Sequence, residues 1–185
     1  MNIGSINHIL RSAAAITRHR TFVIVGSAAV IAGLRENIPL GMTQTAEVDI
    51  YAFEAPNVEE LSDLIDGSIG QDSQFHSTFG YYADGVSPET SKMPSDWLGR
   101  ATRYESPESP GVLALVPEEN DIALAKLVAW REKDIHWLKD GVAAEVLSLE
   151  KMSTRLSLMP AADPHRGMPT LQILKDRMRL LDAQR

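Results

Sequence analysis

A stretch in the first third of the chain constrains the fold more than any other. Residues 22–25 form a short run of four apolar residues that ends at Gly26, as in a strand buried on both faces. Ser27 is a favourable N-cap for a helix over residues 28–35, and residues 46–53 read as a second strand. The stretch therefore predicts a strand, a Gly-Ser turn, a helix, a loop and another strand.

Two acidic residues of the second strand, Glu47 and Asp49, are two positions apart and so lie on the same face. The turn at Gly26 and Ser27 opens a helix, and such a turn offers free backbone N–H groups to an anion. Paired carboxylates suit Mg²⁺ (or Mn²⁺), which leaves room for substrate phosphates. Each piece alone also has a structural interpretation, a helix cap and two solvent-facing carboxylates. Together they favour a phosphate site beside a metal site held by Glu47 and Asp49.

Composition limits the class of protein. The 185 residues are 44% hydrophobic and 23% charged, which is typical of a globular chain. The net charge of −7 argues against broad DNA binding, and the lack of cysteine excludes disulfides, thiolate metal sites and a Cys nucleophile. No apolar run approaches the ~20 residues that a membrane helix needs, and no signal peptide is evident. We therefore expect a cytoplasmic protein with no membrane partner.

The remaining elements are predicted from hydrophobic periodicity. An amphipathic helix over residues 3–17 should cover the sheet, and a helix over residues 58–65 follows the second strand. The aromatic-rich residues 75–86 predict a third strand, and residues 100–105 and 112–116 predict two more. The chain therefore alternates between strands and helices up to residue 116.

The C-terminal part is predicted to be helical. A helix should begin near Pro117, a second should contain residues 135–147, and a terminal amphipathic helix should cover residues 170–183. The Pro- and Gly-containing residues 159–169 read as a linker. The apolar stripe of the last helix either folds back on the core or contacts a partner.

These elements predict an α/β (α+β) fold, with a short mixed sheet flanked by helices and a helical C-terminal part. We expect one domain over residues 1–158, followed by a linker and C-terminal helix over residues 159–185.

The order of these motifs resembles the nucleotidyltransferase superfamily, in which Gly and Gly or Ser precede a strand with a carboxylate, a hydrophobic residue and a carboxylate. Further segments resemble an uncharacterised bacterial nucleotidyltransferase-like family related to the AbiEii-type toxins, and the resemblance extends over roughly residues 21–140. They include Ile65-Asp66-Gly67, Gly80-Tyr81-Tyr82-Ala83 and the run from Asp121 to Asp134. The chain departs from the pattern at three points. Thr43 stands where the toxins often have Arg, Glu47 replaces the usual Asp, and the spacer is longer.

The resemblance implies a second group of site residues. Lys126 would contact nucleotide phosphates and Asp134 would complete the site, while Thr45 and Arg131 would join Gly26 and Ser27 in nucleotide binding. Lys126 and Lys133 would share one face if a single helix contained both. The resemblance also implies a third carboxylate on a later strand, for which the sequence offers Asp84 or Glu105.

The resulting hypothesis is Mg²⁺-dependent transfer of a nucleoside monophosphate from an NTP to a hydroxyl on RNA or protein. The resemblance implies a toxin–antitoxin or phage-defence setting, with an antitoxin or a second copy of the chain as partner. The departures from the pattern leave a second hypothesis open, which is a catalytically inactive nucleotide-binding or protein-interaction module on the same fold.

Overall fold

A computed structural model describes residues 1–33 and 38–183. Its strands are β1 (Thr21–Val25), β2 (Glu47–Ala52), β3 (Tyr82–Gly85), β4 (Thr102–Glu105) and β5 (Leu113–Val116). Its α-helices are α1 (Ile3–Thr17), α2 (Gly26–Ala32), α3 (Leu40–Thr43), α4 (Val58–Ile69), α5 (Gln74–Phe79), α6 (Glu119–Ala129), α7 (Glu132–Ala143), α8 (Leu149–Arg155) and α9 (Leu171–Asp182). The predicted α/β fold with a helical C-terminal part is confirmed.

The strands form one mixed sheet in the order β3-β2-β1-β5-β4. Strand β1 runs antiparallel to β2 and parallel to β5, while β3 runs parallel to β2 and β4 runs antiparallel to β5. Because β1 and β2 are antiparallel, the end of β1 lies beside the start of β2, and Val25 pairs with Asp49. The Gly-Ser turn and the two strand carboxylates therefore lie close together, at the end of β1 and the start of β2.

The two faces of the sheet have different environments. One face carries Phe22, Ile24, Val48 and Ile50, which pack with the helices in the main hydrophobic core. The other face carries a smaller apolar cluster made of Val23, Val25, Tyr51, Met93 and Leu115. Because side chains alternate along β2, Glu47 and Asp49 share this second face with Tyr51. The acidic residues therefore lie on the less covered face.

The terminal helix α9 folds back on the core. Leu174, Met178 and Leu181 are buried in the main cluster, whereas Leu171 is exposed. Arg177 fixes the helix further, since its Nη1 donates to the carbonyls of Leu127 and Val128 at 2.8 Å. Among the described residues no helix is long and apolar enough to span a bilayer. The domain boundary at residue 158 stays a prediction.

Two local predictions were wrong. Residues 75–86 do not form one strand, because Ser73 caps α5 by accepting from the His76 N–H and Gly80 ends it with φ of 74°, before β3 begins. Ser27 is not the N-cap of α2, which starts one residue earlier at Gly26 with Val25 as its N-cap. The end predicted for this helix, Arg35, lies outside the described residues.

Candidate functional site

The first wall of the site is formed by carboxylates on neighbouring strands. The parallel pairing of β2 and β3 places Asp84 directly opposite Asp49, and Tyr82 opposite Glu47. Residues paired across neighbouring strands lie on the same face, so three carboxylates, Glu47, Asp49 and Asp84, share one patch. Of the two candidates for a third carboxylate, Asp84 is the one that the structure places beside Glu47 and Asp49. Glu105 lies on the outer strand β4 at the opposite end of the sheet.

Asp49 lies against the backbone at the start of α2. A Cβ atom added to Gly26 would lie 2.4 Å from Asp49 Oδ2, and Gly26 has a φ of +67°. Only glycine meets both conditions without strain. Gly26 is therefore required for the close approach of the carboxylate to the first turn of α2, where the backbone N–H groups have no intrahelical acceptor.

The environment of Asp49 disfavours its charged form. Burial raises the pKa of Asp49 to about 6, and the negative charges of Glu47 and Asp84 add to this effect. Within residues 1–33 and 38–183, the side chain of Asp49 accepts no hydrogen bond and forms no ion pair. The side chain is half-buried and lines the cavity, and the charges of Lys126 and Lys133 offset the rise in its pKa only in part.

The opposite wall is basic and is built where α6 ends and α7 begins. Trp130 takes a left-handed conformation with φ of 52° and ends α6, so Lys126 and Lys133 lie on two helices rather than on one continuous face. Lys126 Nζ lies 3.1 Å from Asp134 Oδ1, and Arg131 Nε lies 2.7 Å from Asp134 Oδ2. Asp134 thus forms ion pairs with both basic side chains, Lys126 and Arg131.

Burial governs the protonation of these groups. Asp134 is fully buried, and burial alone would raise its pKa, but the hydrogen bond from Arg131 and the charge of Lys126 outweigh it and lower the pKa. Burial lowers the pKa of Lys126, and Asp134 opposes this only in part. The hydrogen bond to Asp134 raises the pKa of Arg131. Asp134 therefore acts as the counter-ion that keeps a buried lysine in the site.

Glu47 connects the acidic wall to the basic one. Lys133 Nζ donates to Glu47 Oε1 at 3.2 Å, and the Tyr82 hydroxyl donates to Glu47 Oε2 at 3.2 Å. The side chain of Lys133 is 62% exposed, so this contact breaks and re-forms at little cost.

A cavity of about 170 Å³ separates the two walls. Its lining includes seven of the eight predicted site residues, namely Gly26, Ser27, Thr45, Glu47, Asp49, Lys126 and Arg131, and the eighth, Asp134, lies beneath Lys126 and Arg131. The Thr45 hydroxyl donates to the Glu47 carbonyl at 3.0 Å and accepts from the Glu47 N–H at 3.1 Å. The structure thus brings the predicted residues together, and their roles stay predictions.

Some lining residues were missed from the sequence. Trp137 lies 4.9 Å below the ammonium group of Lys126, and its Nε1 donates to the Met42 carbonyl at 3.0 Å. Its spacing from Asp134 and Lys133, three and four residues, places all three on one helix face and could have identified it. Thr90 and Ser91 reach the cavity from an irregular loop, for which no local pattern exists.

The donor set fits a hard divalent cation. Glu47 and Asp49 offer oxygen ligands, and the unpaired oxygens of Asp49 are those that a cation would stabilise. Among the described residues no group of three or more His, Asp or Glu side chains is arranged to hold a metal ion. Mg²⁺ is commonly held by one or two carboxylates together with substrate phosphates, so this arrangement suits a metal that arrives with a nucleotide.

Comparison with known proteins gives one match. A family model described as "Nucleotidyltransferase of unknown function (DUF6036)" matches residues 5–172. Comparisons with curated proteins and with solved structures found no match.

Proposed function

Because the chain belongs to this family of nucleotidyltransferases of unknown function, we propose that it transfers a nucleoside monophosphate from an NTP to a hydroxyl of an acceptor with the help of Mg²⁺ or Mn²⁺. The observation that supports this most is the pairing of an acidic wall with a basic wall across one cavity. A triphosphate with a divalent cation presents both charges at once, and each wall complements one of them.

The residues of the acidic wall would hold the metal and the attacking hydroxyl. Glu47 and Asp49 would be the ligands for the cation, and Asp84, which pairs in register with Asp49, would take the proton of the hydroxyl. A bound Mg²⁺ would neutralise phosphate charge and ease the departure of pyrophosphate. The rise in the pKa of Asp84, caused first by burial and then by Glu47 and Asp66, suits a proton acceptor.

The residues of the basic wall would orient the triphosphate. Lys126 and Arg131 face the cavity as phosphate ligands, and Asp134 positions both. The backbone N–H groups of Gly26 and Ser27, in the first turn of α2, would add hydrogen-bond donors to the phosphates. Thr45 also lines the cavity. Phosphoryl transfer depends chiefly on such positioning and charge neutralisation.

Titration calorimetry with each common NTP and Mg²⁺ tests binding, and Asp49→Asn should abolish metal-dependent nucleotide binding. Glu105→Gln, on the far strand, is the matched control and should bind as the wild type does. Unchanged binding by Asp49→Asn would place the metal elsewhere.

Incubation with α-labelled NTPs, total RNA and cell protein separates the transferase from a catalytically inactive nucleotide-binding module. Transfer of label that depends on Asp49 supports the enzyme. Binding without transfer to either acceptor class supports the inactive module, for which the contact between Lys133 and Glu47 is the favouring observation.

The resemblance to AbiEii-type toxins supports a toxin–antitoxin or phage-defence setting, with an antitoxin or a second copy of the chain as partner. Growth arrest on expression, lost in Asp49→Asn, is the expected result. Equal growth of both strains would refute this setting and would leave the proposed nucleotidyl transfer unaffected.

A further inference from the structure

A second and larger cavity adjoins the catalytic one on the same face of the sheet. It measures about 460 Å³, and Ser91 lines both cavities. Tyr51 forms part of its floor, two residues after Asp49 on β2 and on the same face. This groove, which we call the Tyr51 groove, therefore adjoins the candidate nucleotide cavity at Ser91, and its size is typical of ligand sites.

The lining of the Tyr51 groove combines apolar and aromatic side chains with polar and charged ones. Met93 and Trp97 form one side with two prolines, and Met168 and Pro160 form the other. Flat aromatic rings pack well against such surfaces, because ring faces and methionine sulfur make favourable contacts with them.

One polar group in the groove lacks a partner. Tyr51 is 5% exposed, and its hydroxyl forms no hydrogen bond with any residue in the described part of the chain. The hydroxyl oxygen itself is not sealed inside the protein, so it can hydrogen-bond to a ligand that enters the groove.

The groove is preformed because its loop is anchored at several points. Arg100 Nε lies 2.9 Å from Asp121 Oδ2, and Asp121 is fully buried. The Ser95 N–H donates to the Leu158 carbonyl at 2.9 Å, and Arg166 Nη1 lies 3.0 Å from Glu89 Oε1. The two sides of the groove are thereby tied together before any ligand arrives.

The charged residues of the groove balance. Lys92 and Arg166 are offset by Glu89 and Asp163, with which they form ion pairs. An RNA acceptor needs excess positive charge to bind its phosphates, and neither this rim nor a chain of net charge −7 supplies it. A mixed rim complements a polypeptide, which carries both signs and few net charges.

We propose that the Tyr51 groove is the acceptor site and that it receives a tyrosine side chain of a polypeptide, an inference that rests on the transferase function proposed above. The phenol hydroxyl lies at the far end of the ring from its backbone. It can therefore reach past Ser91 to the catalytic cavity while the peptide stays in the groove. Serine and threonine hydroxyls lie too close to their own backbone for this.

The transfer step then balances without a further reactant. The phenol oxygen bonds to the α-phosphorus of the NTP, and the bond between that phosphorus and the bridging oxygen breaks. Pyrophosphate leaves with the electron pair, and the phenol proton passes to Asp84.

Methyl-labelled methionine reports on the groove directly. Met93 and Met168 line it, whereas Met42 and Met152 lie in the main core and serve as internal controls. An acetylated and amidated Ala-Tyr-Ala peptide should shift the NMR signals of the first two methyl groups through its ring current and leave the other two unchanged. The matched Ala-Ser-Ala peptide and a uridine trinucleotide should leave all four unchanged.

Variants link this binding to the transfer. Tyr51→Phe should weaken binding of the tyrosine peptide several-fold, and Trp97→Ala should lower kcat/KM for nucleotidylation of that peptide about tenfold. Both should bind ATP with Mg²⁺ as tightly as the wild type. Leu98→Ala, an exposed neighbour of Trp97, is the matched control and should change neither value.

The two proposals fail in different ways. Unmoved Met93 and Met168 signals at saturating peptide, in a protein that binds ATP through Asp49, would refute the acceptor site alone. A shift caused by the trinucleotide would assign the groove to RNA. A shift caused by ATP, with weaker ATP binding in Trp97→Ala, would assign it to the nucleoside. Loss of all nucleotide binding in the wild type would refute the transferase function and the acceptor role together.

Discussion

Replacing Asp49 by Asn should stabilise the metal-free protein at neutral pH while removing metal-dependent nucleotide binding. Asp49 is half-buried beside Glu47 and Asp84, and desolvation together with these two charges makes its negative charge unfavourable in the folded state. Asn keeps the shape of the side chain and removes the charge. A functional group that costs stability is a recognised property of active sites.

The magnitude follows from the pKa of Asp49, which is raised from 3.8 to about 6 in the folded protein. A shift of this size corresponds to about 3 kcal/mol of unfolding free energy. Since the folded pKa is the higher one, the contribution of Asp49 is most favourable below pH 3.8 and is lost as the pH rises through 6. The advantage of Asp49→Asn over the wild type should therefore grow by about 2 to 3 kcal/mol across this range.

Urea unfolding followed by tryptophan fluorescence, in EDTA and at several pH values between 4 and 8, measures this difference. Glu105→Gln removes an exposed carboxylate on the outer strand β4 and is the control. The difference between its unfolding free energy and that of the wild type should be the same at every pH. ATP with Mg²⁺ should then raise the midpoint of the wild type and leave that of Asp49→Asn unchanged. A difference between Asp49→Asn and the wild type that stays constant with pH would refute the electrostatic argument.

Three further experiments test residues in and beneath the cavity. Gly26→Ala should lower the unfolding free energy by about 2 kcal/mol or more, because the methyl group meets a carboxylate oxygen at 2.4 Å and φ is +67°; calorimetric stability equal to that of the wild type would contradict this. Asp134→Asn should cost about 3 kcal/mol by leaving Lys126 buried without its counter-ion, and adding Lys126→Met should recover most of that loss in chemical denaturation; a double variant no more stable than the single one would argue against the pair. Lys133→Met should change stability by less than about 0.5 kcal/mol, since the side chain is 62% exposed. In titrations it should tighten binding of Mg²⁺ alone by freeing Glu47 and weaken binding of the ATP–Mg²⁺ complex by removing a positive charge from the cavity lining. Effects of the same sign on both ligands would contradict this expectation.

The strands that position the site could be predicted because their signals are local. The apolar run before Gly26 and the alternation around Glu47 and Asp49 each report burial within a few residues. The strand predicted over residues 75–86 was wrong because its first aromatic residues follow the spacing of a helix. Phe75 and Phe79 are four residues apart, as on a helix, and their rings lie 4.9 Å apart in the structure.

The assembly of the site depends on features that no local pattern encodes. Asp84 reaches Asp49 only because β3 pairs in parallel with β2 in one particular register. The pair of Lys126 and Asp134 depends on the helix break at Trp130, a bulky residue with positive φ that composition does not predict. Lys126 and Asp134 were predicted as site residues from the resemblance to a family, since no periodicity or spacing in the sequence brings them together.

The energetic cost of Asp49 also helps to distinguish an active site from one that has lost its catalytic activity. A carboxylate held against Gly26, near two others and without a hydrogen bond from the described residues, lowers the stability of the fold. Asparagine or serine at the same position would remove that cost, so a module that had lost its chemistry would gain stability by a single substitution. Lys126 presents the same situation on the opposite wall, where burial lowers its pKa and only Asp134 offsets the cost. Asp49 and Lys126 line the same cavity, and under the function proposed above a metal-bound triphosphate would place positive charge beside the first and negative charge beside the second.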